Sequence, residues 1–430
     1  MMLMKFYTDV MGVSAGVVGL VMTIARIVDA FTDVTMGRIC DRSRTTAHGK
    51  FKPWLLRMCG PVAIASFLIY QSGLAGLPMW AKIAYLFVTY ILWGSVFYTA
   101  INIPYGSMAS AVSEEPDDRQ SLSTFRTMGG TLAGVVIGVG LPLIAYQKVD
   151  GVETLIGTRV TIAAGVFSVL AVICYLLCYN LVTERVHIET PQRKQESVLQ
   201  MLKSAVHNRA LISIIAASIV MLLAQLTIQS MSGYVYPDYY NNASAQSASN
   251  LTMMVAMLLA AALVKPLAKR FGKCEVSVVS SLFAVVINLL LFVIRPQNVW
   301  VYVGFQFLCW LGLGMFSMVS WALITDVIDY SELKSGRRED GTVYALYSFA
   351  RKLGQAASAG LTGLLLELIG YSAATRTDPV VQEGLFNISV LVPALGFALL
   401  AAILWFWYPL HKKQVDANVL ALKKKHASEA

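Results

Sequence analysis

Asp29 and Asp33 stand four residues apart in an otherwise apolar stretch, GVVGLVMTIARIVDAFTDVTMG, and Arg26 precedes the first of them by three. The stretch is long enough to cross a bilayer as a helix. Spacings of three and four place all three groups on one helical face, so two carboxylates and a guanidinium share that face at membrane depth. Ionisable groups there are costly unless they face a bundle interior or an aqueous cavity, and they mark ion or substrate paths. The bland reading is a structural ion pair between Arg26 and Asp29, which leaves Asp33 outside the pair. A desolvated carboxylate beside a like-charged neighbour holds a proton near neutral pH, and a close pair titrates as a unit. The chemistry on offer is reversible binding of a proton or another cation inside a membrane.

The rest of the chain supplies a membrane setting. With 430 residues, 57% hydrophobic and 14% charged, and a mean hydropathy of +0.62, it reads as an integral membrane protein. Apolar stretches of about 20 residues recur from end to end, the pattern of helical spans rather than of barrel strands. The net charge of +9 does not imply nucleic acid, because Lys and Arg are scattered through short loops with no basic domain to gather them. The six cysteines show no zinc spacing and read as free thiols in or beside apolar spans. All five histidines fall in loops or the tail, so proton chemistry at membrane depth is left to carboxylates, with no metal and no cofactor. No HExxH or GxSxG motif occurs, which argues against an intramembrane enzyme.

Apolar runs between polar breaks place eleven spans, near 15–37, 54–73, 80–105, 122–146, 158–181, 210–234, 248–268, 275–294, 299–328, 341–370 and 384–408. Alternating the loops puts 24 Lys and Arg on one face and only six on the other: Lys5, Lys82, Lys148, Arg159, Arg295 and Arg376. The richer face, which includes the C-terminal tail, is expected to be cytoplasmic. Eleven spans then start residues 1–14 outside, where MMLMKFYTDV reads as the last two turns of a further helix. The expectation is a twelve-span bundle with most of its first helix missing from this sequence. The polar stretch 182–209 divides it into an N-terminal half, 1–181, and a C-terminal half, 210–410, followed by a tail, 411–430. GRICDRSRTTAHGK and KPLAKRFGK occupy matching places in the two halves, and two six-span halves are the pattern of secondary transporters with a midplane site.

FYTDVMGVSAGVVGL, ARIVDAFTDVTMGRICDRSRT, HGKFKPW, NIPYGSMASAV, ITDVIDYSELKSGRREDGTVYALYSFARKLGQA and ILWFWYPL resemble the glycoside-pentoside-hexuronide:cation symporter family. This is the branch of the major facilitator superfamily that holds the melibiose and glucuronide permeases, and the likeness runs from residue 6 to about 410. It implies an all-α membrane fold and a monomeric carrier in a bacterial inner membrane, with a sugar and a coupling cation as its partners. Carried over by residue, it implies that Asp29, Asp33, Thr99 and Asn102 bind the cation, that Arg126 contacts the sugar together with Asn102, and that Lys352 couples the halves. Asn102 stands where the melibiose permease has a third aspartate, and Gly106 where that protein stacks a tryptophan on the sugar.

Losing one negative charge at Asn102 weakens sodium binding more than protonation, so a proton is expected as the coupling ion, with Asp33 its main carrier and sodium the alternative. Arg126, Arg351 and Lys352 are the intramembrane cations suited to a uronic acid, and the Arg351–Lys352 pair, NIPYGS and WFWYPL lean toward the glucuronide permease. Tyr98, Tyr105 and Trp93 are candidate linings of the sugar path, though aromatics at helical spacing also serve packing. The loop 37–54, with Asp41 and Arg42, is similar to the superfamily's gating loop, and Asp326, Asp329, Glu332 and Arg338 form its counterpart. Glycines at 129–140 and 360–370 suit close helix approach and sliding. A channel and a sodium-coupled lysolipid transporter of the same fold are the competing readings.

Overall fold

A computed structural model describes residues 2–43, 45–46, 49–113, 115–185, 208–335 and 340–429. Helices dominate. In order they are α1 (Met2–Asp9), α2 (Ala15–Arg42), α3 (Lys52–Ile69), α4 (Met79–Ile91), α5 (Thr99–Val112), α6 (Pro116–Ala145), α7 (Gly157–Leu181), α8 (Arg209–Tyr234), α9 (Ala243–Phe271), α10 (Lys273–Ile294), α11 (Val299–Ser335), α12 (Asp340–Leu368), α13 (Pro379–Ala402) and α14 (Lys412–Glu429). Among the described residues ten segments are long and apolar enough to span a bilayer. The eleventh expected span, 341–370, is helical as α12, but Arg351, Lys352 and Glu367 within it keep it out of that set.

Why these helices belong in lipid is visible on α10. Cys274, Ser277, Ser281, Ala284, Asn288 and Leu291, spaced alternately by three and four, are buried, while Val279, Leu282, Val286, Leu289 and Val293 form an exposed stripe at the same spacing. Polar and small side chains point inward and large apolar ones outward, the reverse of a soluble helix.

α4 and α5 are one continuous span, Met79–Val112, joined by a π-helical turn over Leu92–Tyr98. The expected span 122–146 gives way at Tyr146 to a hairpin in the connection that follows, Tyr146–Val149 against Val152–Leu155. Its two-residue turn is Asp150-Gly151, both at positive φ (51° and 80°), the geometry that matches strand twist.

Contacts cluster the chain into two compact units that do not follow chain order: residues 1–193 with 359–381, and residues 194–358 with 382–430. The first unit is centred on Met36, Leu55, Cys59, Ile101 and Met108. The second has a larger core with Ile214, Met221, Trp310, Phe316, Tyr347 and Phe397. The end of α12 joins the first unit because two glycines let backbones touch: a Cβ on Gly363 would lie 2.5 Å from the Ala15 carbonyl, and one on Gly19 would lie 2.9 Å from the Ala359 carbonyl. Gly129, Gly130, Gly134 and Gly140, expected to serve the same end, have nothing within 4 Å of a Cβ.

One end of the first unit is tied by charge. Lys5 Nζ lies 2.8 Å from Asp9 Oδ2 and donates to the Tyr371 hydroxyl at 2.6 Å, which donates to Asp9 Oδ1 at 2.9 Å. The Lys5 and Asp9 side chains are 1% and 4% exposed. Arg376 donates to Thr154 Oγ1 at 2.8 Å, and Lys82 Nζ to the Met11 carbonyl at 2.8 Å. Five of the six Lys and Arg expected on the poorer face thus gather near one another, Arg159 through its bond to Gln147 of the hairpin and Lys148 within that hairpin. At another place in the same unit Glu184 accepts from the backbone N–H groups of Lys50, Phe51 and Lys52 (2.7, 2.9 and 2.6 Å), capping the start of α3 from a distant segment.

Candidate cation and sugar site

α2 is capped by Ser14, whose hydroxyl accepts from the Val17 N–H, and its α-helical register carries Asp29 and Asp33 one turn apart on the side that meets α4, the π turn and α5. Asp33 Oδ1 accepts from Thr99 Oγ1 at 2.9 Å. Asp29 Oδ1 accepts from Ser95 Oγ, and its other oxygen lies 3.3 Å from Arg26 Nη1. The two bonds form a ladder: carboxylates at i and i+4 on one helix face hydroxyls at i and i+4 on the other. Both hydroxyls are buried, with Ser95 1% and Thr99 4% exposed. The π turn brings its backbone close as well, since a Cβ on Gly94 would sit 3.7 Å from Asp29 Oδ1 and the Gly94 carbonyl is 3.3 Å from Thr99 Oγ1.

Asn102 goes elsewhere. Its side-chain oxygen accepts from Arg126 Nη2 at 3.3 Å, and the Arg126 guanidinium covers the Tyr105 ring at 4.9 Å. Gly106 lies against it, since a Cβ there would be in ordinary contact, 3.5 Å from Arg126 Nη1. Thr99 and Asn102, one helical turn apart on α5, therefore face different charges. A cavity of about 720 Å³ opens beside Arg126, bounded by Tyr105, Gly106, Ser123, Phe125 and Arg185, a size that suits a small-molecule ligand.

Tyr98 is half-exposed and stands 6.0 Å from Trp93, which is 5.9 Å from Tyr90; the three form an aromatic row along α4 and the π turn. Arg351 and Lys352 belong to the second unit, where the Arg351 guanidinium lies over Trp321 at 5.8 Å and over Tyr347 at 5.9 Å, a cation–π arrangement that holds it in place. Of the expected gating residues, Asp326 is buried with Lys273 Nζ at 2.6 Å, a partner within its own unit. Glu332 is buried and Asp329 half-buried in the same helix, and Arg42 is exposed in the last turn of α2. The side chain of Asp41 and residue Arg338 lie outside the described residues.

Sequence reasoning missed Ser95 and Glu184. Ser95 lies four residues before Thr99 and seven before Asn102, so helical spacing placed it on the same face, but serine is too common in helices to single out by type. Glu184 lies in a polar connection with no periodicity to flag it.

Residues 1–412 match the family described as MFS/sugar transport protein. The chain belongs to that family. It is a multi-pass membrane transporter and not an enzyme, and its likeness to the glycoside-pentoside-hexuronide group holds. The chain is 30% identical over 425 residues to an uncharacterized symporter, YjmB, of Bacillus subtilis (98% of this chain, 90% of that protein). It is 29% identical to a glucuronide carrier protein homolog of Escherichia coli (98% and 90%) and 32% identical to an isoprimeverose transporter of Lactiplantibacillus pentosus (99% and 88%). Its fold is shared with a solved D-xylose-proton symporter, with a TM-score of 0.61 at 13% identity over 92% of this chain and 88% of that one.

Proposed function

We propose that this transporter is a symporter that carries an acidic glycoside, a hexuronide in the first instance, with one proton across a bacterial inner membrane by alternating access. It works as a monomer with its C-terminus in the cytoplasm. The observation that carries the reading is that one turn of α5 touches both charges the cycle needs: Thr99 bonds the Asp33 carboxylate, and Asn102 bonds Arg126. A carboxylate on the cargo takes the guanidinium as a bidentate partner in place of the single Asn102 amide oxygen. That frees Asn102 and the turn of α5 next to Asp33, so cargo and cation occupancy bias each other through one element. Tyr98 and Tyr105 are the aromatic candidates for lining the sugar path. Arg351 and Lys352 are the second unit's candidates for cargo contact, with Arg42 and Asp329 those for gating. The glucuronide carrier homolog and the isoprimeverose transporter among its relatives support a glycoside cargo.

A sodium ion is the second reading. Hydroxyls of Ser95 and Thr99, the Gly94 carbonyl and two carboxylates are the oxygen donors a hard cation prefers. Uptake of labelled glucuronides, pentosides and galactosides into vesicles, with pH and sodium gradients imposed separately, decides between them. Accumulation of a glucuronide under a pH gradient alone is expected. Better accumulation under sodium at fixed pH replaces the proton, and uptake of neutral sugars only removes the acidic cargo.

A further inference from the structure

We infer that Ser95 is a positioning residue of the coupling site, holding Asp29 for the cation instead of leaving it to Arg26. The inference rests on the reading that Asp29 and Asp33 exchange the coupling cation. Asp29 has two competing attractions. Arg26, three residues earlier on the same helix, approaches Oδ2 at 3.3 Å, and a carboxylate given over to a guanidinium is a charge-neutral pair with little left for a cation. Ser95 approaches Oδ1 from the facing helix and keeps that oxygen turned toward α4 and α5, where Thr99 holds Asp33.

The hydroxyl has a second acceptor. Ser95 Oγ also lies 3.2 Å from the Ala25 carbonyl, one turn before Asp29 on α2. A serine carries one proton, so it serves one of the two at a time. When the carboxylate is ionised, the charged acceptor wins. When a cation occupies Oδ1, the hydroxyl turns to Ala25, and no buried donor is stranded in either state. The widened π turn supports the arrangement. π turns of this kind concentrate at functional sites, and Gly94 beside Ser95 has no Cβ, so this turn packs its backbone close to Asp29.

Removing the hydroxyl therefore uncouples before it inactivates, because Arg126 and its cavity keep their cargo contacts while Asp29 falls back on Arg26. The test compares gradient-driven accumulation with equilibrium exchange of the same labelled glucuronide in proteoliposomes of the full chain. For Ser95→Ala the ratio of accumulation to exchange falls roughly tenfold, the worth of one hydrogen bond to a charged group, and Ser95→Thr restores it. An unchanged ratio in Ser95→Ala, a parallel loss of both activities, or a failure of Ser95→Thr to restore the ratio overturns the role of Ser95. A wild type that exchanges without accumulating under either gradient overturns the symport reading itself.

Discussion

Asn102, expected from the sequence to serve both the cation and the sugar, accepts a hydrogen bond from Arg126 at 3.3 Å. Its side-chain oxygen is turned to a guanidinium, away from the hydroxyls that meet the carboxylate pair. In the proposed symport, cation choice falls to the ladder of Asp29, Ser95, Asp33 and Thr99.

Asn102→Asp therefore acts on the cargo. An aspartate there pairs with Arg126 and competes with an acidic sugar for the same fork, so the KM for a glucuronide rises about tenfold while the cation preference stays as it was. Arg126→Gln lowers glucuronide uptake about 30- to 100-fold, the loss of about 2–3 kcal/mol of charge-assisted bonding, and harms a neutral pentoside less. Initial rates in vesicles measure both. A gain of sodium-driven uptake in Asn102→Asp returns the residue to the cation site.

In the proposed symport, Asp33→Asn removes the exchangeable charge while preserving shape and the capacity to accept from Thr99. Moving one charge inward contributes about 2.3 kcal/mol per 100 mV, which supports about 50-fold accumulation at that potential. The variant should equilibrate the sugar without concentrating it, and the alkalinisation outside the vesicles that accompanies uptake should vanish from a pH-electrode trace. Persisting alkalinisation assigns the proton to another group.

Much of this was legible in the sequence. The ladder's acidic half follows from the spacing of Asp29 and Asp33 alone, and Thr99 was found through family motifs. Helical spacing cannot say which of two neighbouring charges a side chain such as Asn102 turns to, because that depends on where α6 places Arg126. The Lys5–Tyr371 bond joins residues 366 positions apart and leaves no periodic trace.

Breaking that buried cluster should be costly in proportion to the charge left unpaired. Lys5→Met leaves Asp9 with Arg376, 4.0 Å away, as its remaining cation and destabilises by about 3 kcal/mol, whereas Tyr371→Phe removes one neutral bridge and costs about 1–2 kcal/mol. Pairing Lys5→Met with Asp9→Asn removes both charges and recovers a good part of the loss. Thermal unfolding of the purified chain in detergent gives the order; equal effects of Lys5→Met and Tyr371→Phe contradict a charge-based account.

Glu184 is the last test of what holds the first unit together. Its carboxylate takes three consecutive backbone N–H groups at the start of α3, where the helix dipole also favours a negative charge. Gly49 makes the approach possible: its φ is +106°, and a Cβ there would fall 2.5 Å from Glu184 Cδ. Glu184→Ala leaves three donors without their partner and should cost about 2 kcal/mol. Glu184→Gln keeps an acceptor but not the charge and should cost about half as much. Gly49→Ala should resemble Glu184→Ala, because it displaces the same carboxylate and strains the backbone besides. Amide exchange at Lys50, Phe51 and Lys52 reports the effect locally: all three protons should speed up together in Glu184→Ala. Unchanged exchange there would show that the N–H groups are protected by something other than this carboxylate.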